Sequence, residues 1–287
     1  MQPVRIGSRL VGPGQPTFIV AEVGINHNGN VELARKLVHA AVASGCDAVK
    51  FQKRTVEAVY SAEDLARPRE SPFGTTNGDL KRGLEFGLSE YTEIDAYCGR
   101  MGIPWFASCW DEASVDFMKR FDPPCWKIAS ASLTDVSLLK HHRNTGRPLL
   151  LSTGMSSLAQ IDEGVRTLEG ESLILLHCTS TYPTRLEEIN LRAIPRLQEH
   201  FGVPVGYSGH EVGLSTTLGA VALGACLVER HISLDRAMWG SDQAASVEPQ
   251  GFARLVKDIR AIETAMGDGT KRIYDSEIPI MEKLRRR

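Results

Sequence analysis

The 287-residue sequence has no marked excess of either charge. It carries 33 Lys and Arg against 35 Asp and Glu, a formal net charge of −2. That balance supplies no global field for nucleic acid or an anionic membrane surface, and neither is expected as a partner. No uninterrupted apolar run reaches the roughly 18 residues a spanning helix needs. No secretory leader is expected either, because Arg5 and Arg9 are followed by Gly and Pro rather than by an apolar stretch. The six cysteines form no C-x-x-C pair. Cys46, Cys125, Cys178 and Cys226 sit in or beside apolar strand-like runs, where a thiol behaves as a small hydrophobe. A disulfide framework and a zinc–thiolate site are thereby disfavoured, and a reducing, cytoplasmic setting is expected. No G-x-G-x-x-G follows the first strand, since GINHNG has the wrong spacing. This argues against the dinucleotide-binding version of an open doubly wound sheet.

What the chain does have is a repeated plan, clearest between Val203 and Ser233. VPVGYSGH and ACLVERHIS are two apolar runs, each leading into a histidine, His210 and His231, with a helical segment between them. The same plan recurs upstream. Strand-like runs are TFIVAEVG (from Thr17), DAVKFQ (from Asp47), IPWFAS (from Ile103), CWKIAS (from Cys125), PLLLS (from Pro148) and SLILLHC (from Ser172). Helices are predicted between them. One is capped by Asn30 and runs through Gly45. Another spans about Ser89–Met101, a third is capped by Asp111, and a fourth follows Thr134. Ser157 and Gln160 form a capping box, a further helix starts from about Asn190, and another covers Leu214–Leu223. Pro249 opens a last helix, with Phe252, Val256, Ile259 and Met266 on one face.

Eight strand–helix units in series predict an α/β fold, a single-domain parallel (β/α)8 TIM barrel with its core at about 17–267. Near-continuous apolar strands agree, because barrel strands are covered on both faces. The Gly- and Pro-rich residues 1–16 are expected at the barrel's lower end. The stretch 53–88 is read as a lid-like loop. The basic tail Lys283–Arg287 is read as a solvated end.

In such barrels the active site forms at the C-terminal strand ends. There the sequence places Glu22, with Asn26 and His27 just beyond; Lys50 and Gln52; Ser108; Lys127, Ser130 and Ser132; Ser152; His177, Thr179, Ser180 and Tyr182; Ser208 and His210; Glu229 and His231. Asp242 follows in the last loop. Each residue alone is weak: a strand-end serine is usually a helix cap or turn residue, and a histidine such as His177 is usually a satisfied core group. Lysines are rarely buried, so Lys50 and Lys127 inside apolar strands need anionic partners. Those partners are Glu22 and Glu229 in an internal salt-bridge network, or else the phosphate or carboxylate of a ligand. Strand alternation sends Lys50 and Gln52 the same way, and likewise Ser208 with His210 and Glu229 with His231. This agreement of phase favours a ligand. Two histidines near Asp242 and Glu22 suit a divalent metal that polarises a carbonyl oxygen. A phosphorylated anion beside such a carbonyl is an arrangement for carbon–carbon bond formation.

FIVAEVGINHNG, AVKFQ, KIAS, LSTGM, LLHCTSTYPT, the S-x-H of GYSGH, and LVERH resemble the N-acetylneuraminate (sialic acid) synthase family, in order and spacing, from about Phe18 to Met266. The resemblance implies condensation of phosphoenolpyruvate with an aldose, N-acetylmannosamine or a relative, with Mn²⁺ or Mg²⁺ and release of phosphate. It implies His210 and His231 as metal ligands. Lys50, Lys127, Ser130, Ser152 and Ser208 would hold the phosphoenolpyruvate, with Ser108 and Ser180 also on the substrate. Gln52, Tyr182 and Asp242 would face the sugar. Glu22 would lie by the enol carbon and the phosphate, with Glu22 or Asp242 moving protons. Three departures accompany it. Ser132 stands where the sialic-type members have a sugar-binding carboxylate, Ser180 stands where the bacterial sialic acid members have Asn, and no C-terminal antifreeze-like (SAF) domain is expected. A different or smaller aldose, or a separate protein completing the sugar site, follows as an expectation. A homo-oligomer is possible. Two rivals are weighed: a class II aldolase or sugar isomerase, which would bring more carboxylates to its metal, and a degenerate, non-catalytic ligand-binding barrel.

Overall fold

The computed structural model describes residues 1–169 and 172–286, and Arg287 of the basic tail lies outside them. Eight parallel strands close into a barrel: Phe18–Gly24, Ala48–Lys53, Trp105–Cys109, Trp126–Ile128, Leu149–Ser152, Leu173–His177, Val205–Gly209 and Leu227–His231. Each pairs with its neighbours in sequence, and the eighth returns to the first, with His231 opposite Glu22. The predicted strands therefore all form, with ends shifted by one or two residues. The largest difference is the fourth, which stops at Ile128; Ser130–Ser132 turn instead into a short 3-10 helix.

The strands are apolar on both faces for two separate reasons. Residues such as Ile19, Ala21, Val49 and Phe51 point out and pack against the surrounding helices in one continuous core. Phe18, Val20, Ala48, Phe106, Leu150 and Leu227 belong to a second cluster that fills the lower barrel. The inward series then changes character along each strand. Phe18 and Val20 give way to Glu22, Ala48 to Lys50, Phe106 to Ser108, and Leu150 to Ser152. Period-two alternation alone thus delivers a ring of polar groups above an apolar plug.

Asn30, Asp111 and Ser157 cap their helices as expected, and Ser157 with Gln160 completes the capping box. The last barrel helix runs Pro249–Met266 with Phe252, Leu255 and Ile259 buried. Met266 is 56 % exposed, so it does not belong to that face. The helix predicted from about Asn190 starts at Ala193, because Asn190 takes a left-handed φ of 50°. Residues 1–16 contain a hairpin, Val4–Ile6 with Arg9–Val11, whose Val4, Ile6 and Val11 join the lower cluster. The stretch 53–88 holds structure of its own: helices Val56–Val59, Ala62–Ala66 and Asn77–Leu84, and a hairpin of Pro68–Ser71 and Gly74–Thr76. A final short helix, Ile278–Leu284, buries none of its residues. Among the described residues no helix is long and apolar enough to cross a membrane.

Candidate active site

A cavity of about 180 Å³ opens at the C-terminal mouth of the barrel. Its walls include Glu22, Lys50, Gln52, Ser108, Lys127 and Ser130, together with Ser152, Ser180, Tyr182, Ser208, His210 and His231. The candidate residues from eight different strand ends and loops are thus brought to one place. Asp242 is the exception. It is half-buried beyond the lining, and its carboxylate accepts the Ser241 hydroxyl at 2.7 Å. It still acts at a distance, raising the proton affinity of both Tyr182 and His231. Ser132 is buried and does not line the cavity. His177 is a satisfied group, bonded through Nε2 to the Ile189 carbonyl. His27 is buried and stacked on Phe86 at 3.9 Å, where burial pushes its pKa down to about 3.

At the floor, two carboxylates face two ammonium groups. Lys50 Nζ lies 2.9 Å from Glu22 and 3.3 Å from Glu229, while Lys127 Nζ is 3.9 Å from Glu229. All four are buried. The charges are unevenly matched. Burial and the neighbouring Glu229 charge raise the Glu22 carboxyl to about 7 against the pull of Lys50. Burial also acts to raise Glu229, but Lys127 and Lys50 outweigh it and hold that group down to about 2. Lys127 is lowered by burial; its close contacts are neutral, the Ser152 hydroxyl at 2.6 Å and the Ile128 carbonyl at 3.2 Å. It is the cation of the floor that an incoming anion would serve best. Beside it, Ser130 accepts from the Gly154 N–H at 3.1 Å. A Cβ at Gly154 would come within 2.3 Å of Ser180 Oγ and 2.8 Å of Ser130 Oγ, so only glycine leaves this corner open.

At the rim, the imidazoles of His210 and His231 stand with centroids 5.8 Å apart. His210 Nδ1 must donate to the Thr179 carbonyl at 2.7 Å, because a carbonyl can only accept. Its Nε2 therefore keeps a lone pair, which here accepts the Tyr182 O–H at 3.0 Å. Burial, then His231, lowers His210 to about 4, and burial also lowers His231. Both shifts favour the neutral ring, the form that ligates a cation. His231 Nδ1 is buried without a partner. No group of three His, Cys, Asp or Glu residues is gathered for a metal among the described residues. The donors thus fit an open two-imidazole site whose remaining positions fall to substrate or water, and do not fit a closed structural site.

Five lining residues lay outside the sequence prediction or were underrated by it: Glu229, Trp110, Ala129, Ala131 and Met155. Glu229 was expected only as a partner for lysine. Trp110 follows Phe106 and Ser108 in the inward period and was findable by extending that count past the strand. Met155 lies in a turn with φ 57°, where no periodicity operates.

Fold and cavity define a barrel of the enzyme type, with buried lysines and a pair of imidazoles at its C-terminal mouth. The NeuB family pattern matches residues 37–271. The N-acetylneuraminate-9-phosphate synthase of Mus musculus is 39 % identical over 96 % of this chain and 78 % of its own length. The N,N'-diacetyllegionaminic acid synthase of Legionella pneumophila is 36 % identical over 98 % of this chain and 82 % of its own. The crystal structure of an N-acetylneuraminic acid synthetase from Leptospira borgpetersenii, in complex with citrate, superposes with a TM-score of 0.87 at 30 % identity, covering 100 % of this chain and 98 % of that one. The chain belongs to the NeuB family, and so to the enzymes that condense phosphoenolpyruvate with a sugar.

Proposed function

We propose that this chain joins phosphoenolpyruvate to an N-acetylmannosamine-like aldose, giving a 3-deoxy-2-keto sugar acid and phosphate, at the cavity described above. The observation that carries the reading is the meeting of Lys50 and Lys127 with the imidazole pair in one cavity. Lys127, Ser130, Ser152 and Ser208 hold the phosphate and carboxylate, with Lys50 balancing Glu22 and Glu229 beneath. Ser108 and Ser180 complete the pocket. Gln52 and Tyr182 face the sugar, and Asp242 approaches from the last loop. His210 and His231 would hold a divalent ion, Mn²⁺ or Mg²⁺, which when bound supplies Lewis-acid polarisation of the sugar aldehyde.

In the reaction, C3 of phosphoenolpyruvate forms a bond to the aldehyde carbon, whose oxygen takes a proton. Water then adds at C2, and the C2–O bond to phosphate breaks. Glu22, whose carboxyl burial raises to about 7, would take the proton released by the water that adds at C2. Asp242 is the alternative at the sugar end. Ser132 lies outside the cavity lining, which supports an aldose held without the usual carboxylate at that position. A cytoplasmic setting fits these substrates and the six free cysteines. We further assign the folded stretch 53–88 a covering role over the mouth.

The test is phosphate release from phosphoenolpyruvate across a panel of aldoses, with and without Mn²⁺. Release that needs both an aldose and the metal is expected. No release with any aldose would refute the reading, and N-acetylmannosamine as clearly the best substrate would refute altered sugar specificity.

A further inference from the structure

Arg54 does not line the cavity, yet it grips two residues that do. Its guanidinium Nη2 donates to Gln52 Oε1. Its planar face lies 4.5 Å from the centroid of the Trp110 indole. Arg54 is itself 7 % exposed and fixed from the opposite side: Nε pairs with Glu85 at 2.9 Å and Nη1 donates to the Tyr60 hydroxyl at 2.7 Å. Tyr60 and Glu85 both belong to the folded stretch between the second strand and the helix Leu88–Met101.

The consequence concerns the two ends of one carboxamide. A glutamine side chain can present its oxygen or its NH₂ in either direction at nearly equal cost. A guanidinium can only donate, so it accepts only the oxygen end. The NH₂ end is then turned toward Glu22, to which Nε2 donates at 3.0 Å. With the amide reversed, N–H would oppose N–H at Arg54 and oxygen would oppose oxygen at Glu22. Arg54 therefore decides which face of Gln52 a ligand meets, and its anchors lie in the folded stretch.

We propose that Arg54 is a positioning residue for sugar recognition: it locks the Gln52 carboxamide with its NH₂ toward the cavity, and so sets affinity for the sugar while leaving phosphoenolpyruvate binding alone. This rests on the reading that Gln52 faces the sugar. It gives the folded stretch a direct connection to specificity through Glu85, Arg54 and Gln52 in series.

Two measurements test it. The first needs no substrate. Crystal structures of Arg54→Met, in which Glu85 keeps its Lys53 partner at 3.3 Å, and of Arg54→Met with Glu85→Gln, should show the Gln52 side chain beyond about 3.5 Å from Glu22. An unmoved Gln52 would overturn the proposal. The second reads KM separately for phosphoenolpyruvate and for the best-used sugar among N-acetylated hexosamines. Arg54→Met should raise the sugar KM about tenfold, as loss of a charge-assisted hydrogen bond does, and leave that for phosphoenolpyruvate within about twofold. Arg54→Lys should restore part of the loss, and in a Gln52→Ala background Arg54→Met should add little. Equal rises in both KM values, or full additivity, would overturn it. Should the wild type use no sugar at all, the reaction assigned above falls, while the position of Gln52 still decides this proposal.

Discussion

Glu229→Gln is the most informative single change, because it alters charge at the floor while keeping shape. The four floor groups, Glu22, Glu229, Lys50 and Lys127, sum to zero when all are ionised. Glutamine at 229 leaves one ammonium uncompensated in a buried site. Glu229 lies 3.3 Å from Lys50 and 3.9 Å from Lys127. At an effective dielectric near 20, each contact is worth about 4–5 kcal/mol of Coulomb energy, much of it offset by desolvation. Breaking such a buried pair costs about 3–5 kcal/mol net. For a chain of this length the unfolding entropy is about 0.6 kcal/mol per kelvin, so Tm should fall by about 5–8 °C. Phosphoenolpyruvate should then recover more of that loss in the variant than it adds to the wild type, since it brings the missing negative charge. Differential scanning fluorimetry with and without phosphoenolpyruvate measures both effects. A variant as stable as the wild type, or one that phosphoenolpyruvate stabilises no more than the wild type, would refute the charge balance drawn here.

Other changes read other parts of the site. Gly154→Ala should leave the fold intact by circular dichroism but raise KM for phosphoenolpyruvate at least about tenfold, because the added methyl meets Ser130 and Ser180. His231→Ala should abolish Mn²⁺ binding by calorimetry, and chelation with EDTA should stop phosphate release until Mn²⁺ is returned. Glu22, with a folded pKa of about 7 against 4.5 unfolded, contributes stability that is full below about 4.5 and lost as pH rises through 7. Glu229 has the opposite sign: its contribution is present above 4.5 and lost as pH falls toward 2. Chemical denaturation at a series of pH values should therefore show Glu22→Gln flattening the decline between pH 4.5 and 7, and an unchanged slope would count against the raised carboxyl.

Much of this was readable because barrel geometry turns sequence period into position. Lys50 and Lys127 stood out as charges inside apolar runs, and the i, i+2 phase put Gln52, His210 and His231 on the same side as their partners. What escaped lay where no period operates. Helices of four and five residues in the stretch 53–88 carry too little amphipathic pattern to declare themselves, so a folded insertion read as a loop. Asp242 was placed at the site by a loop whose path the sequence does not encode, and it stops short of the cavity. Met266 matched the helical spacing of Phe252 and Ile259, but it is the last residue of its helix and stays exposed. Arg54 looked like an ordinary loop cation, because its four partners are separated along the chain by up to 56 residues.

The N-terminal hairpin has a bearing on traffic. By wedging Val4, Ile6 and Val11 under the barrel it makes the interior a cul-de-sac. Whatever enters must leave by the door it came through. With phosphoenolpyruvate against Lys127 as proposed, it would have to arrive before the sugar, and the joined product and the phosphate would share one exit, so a blocked lower end some distance from any reacting atom would dictate the order of arrival.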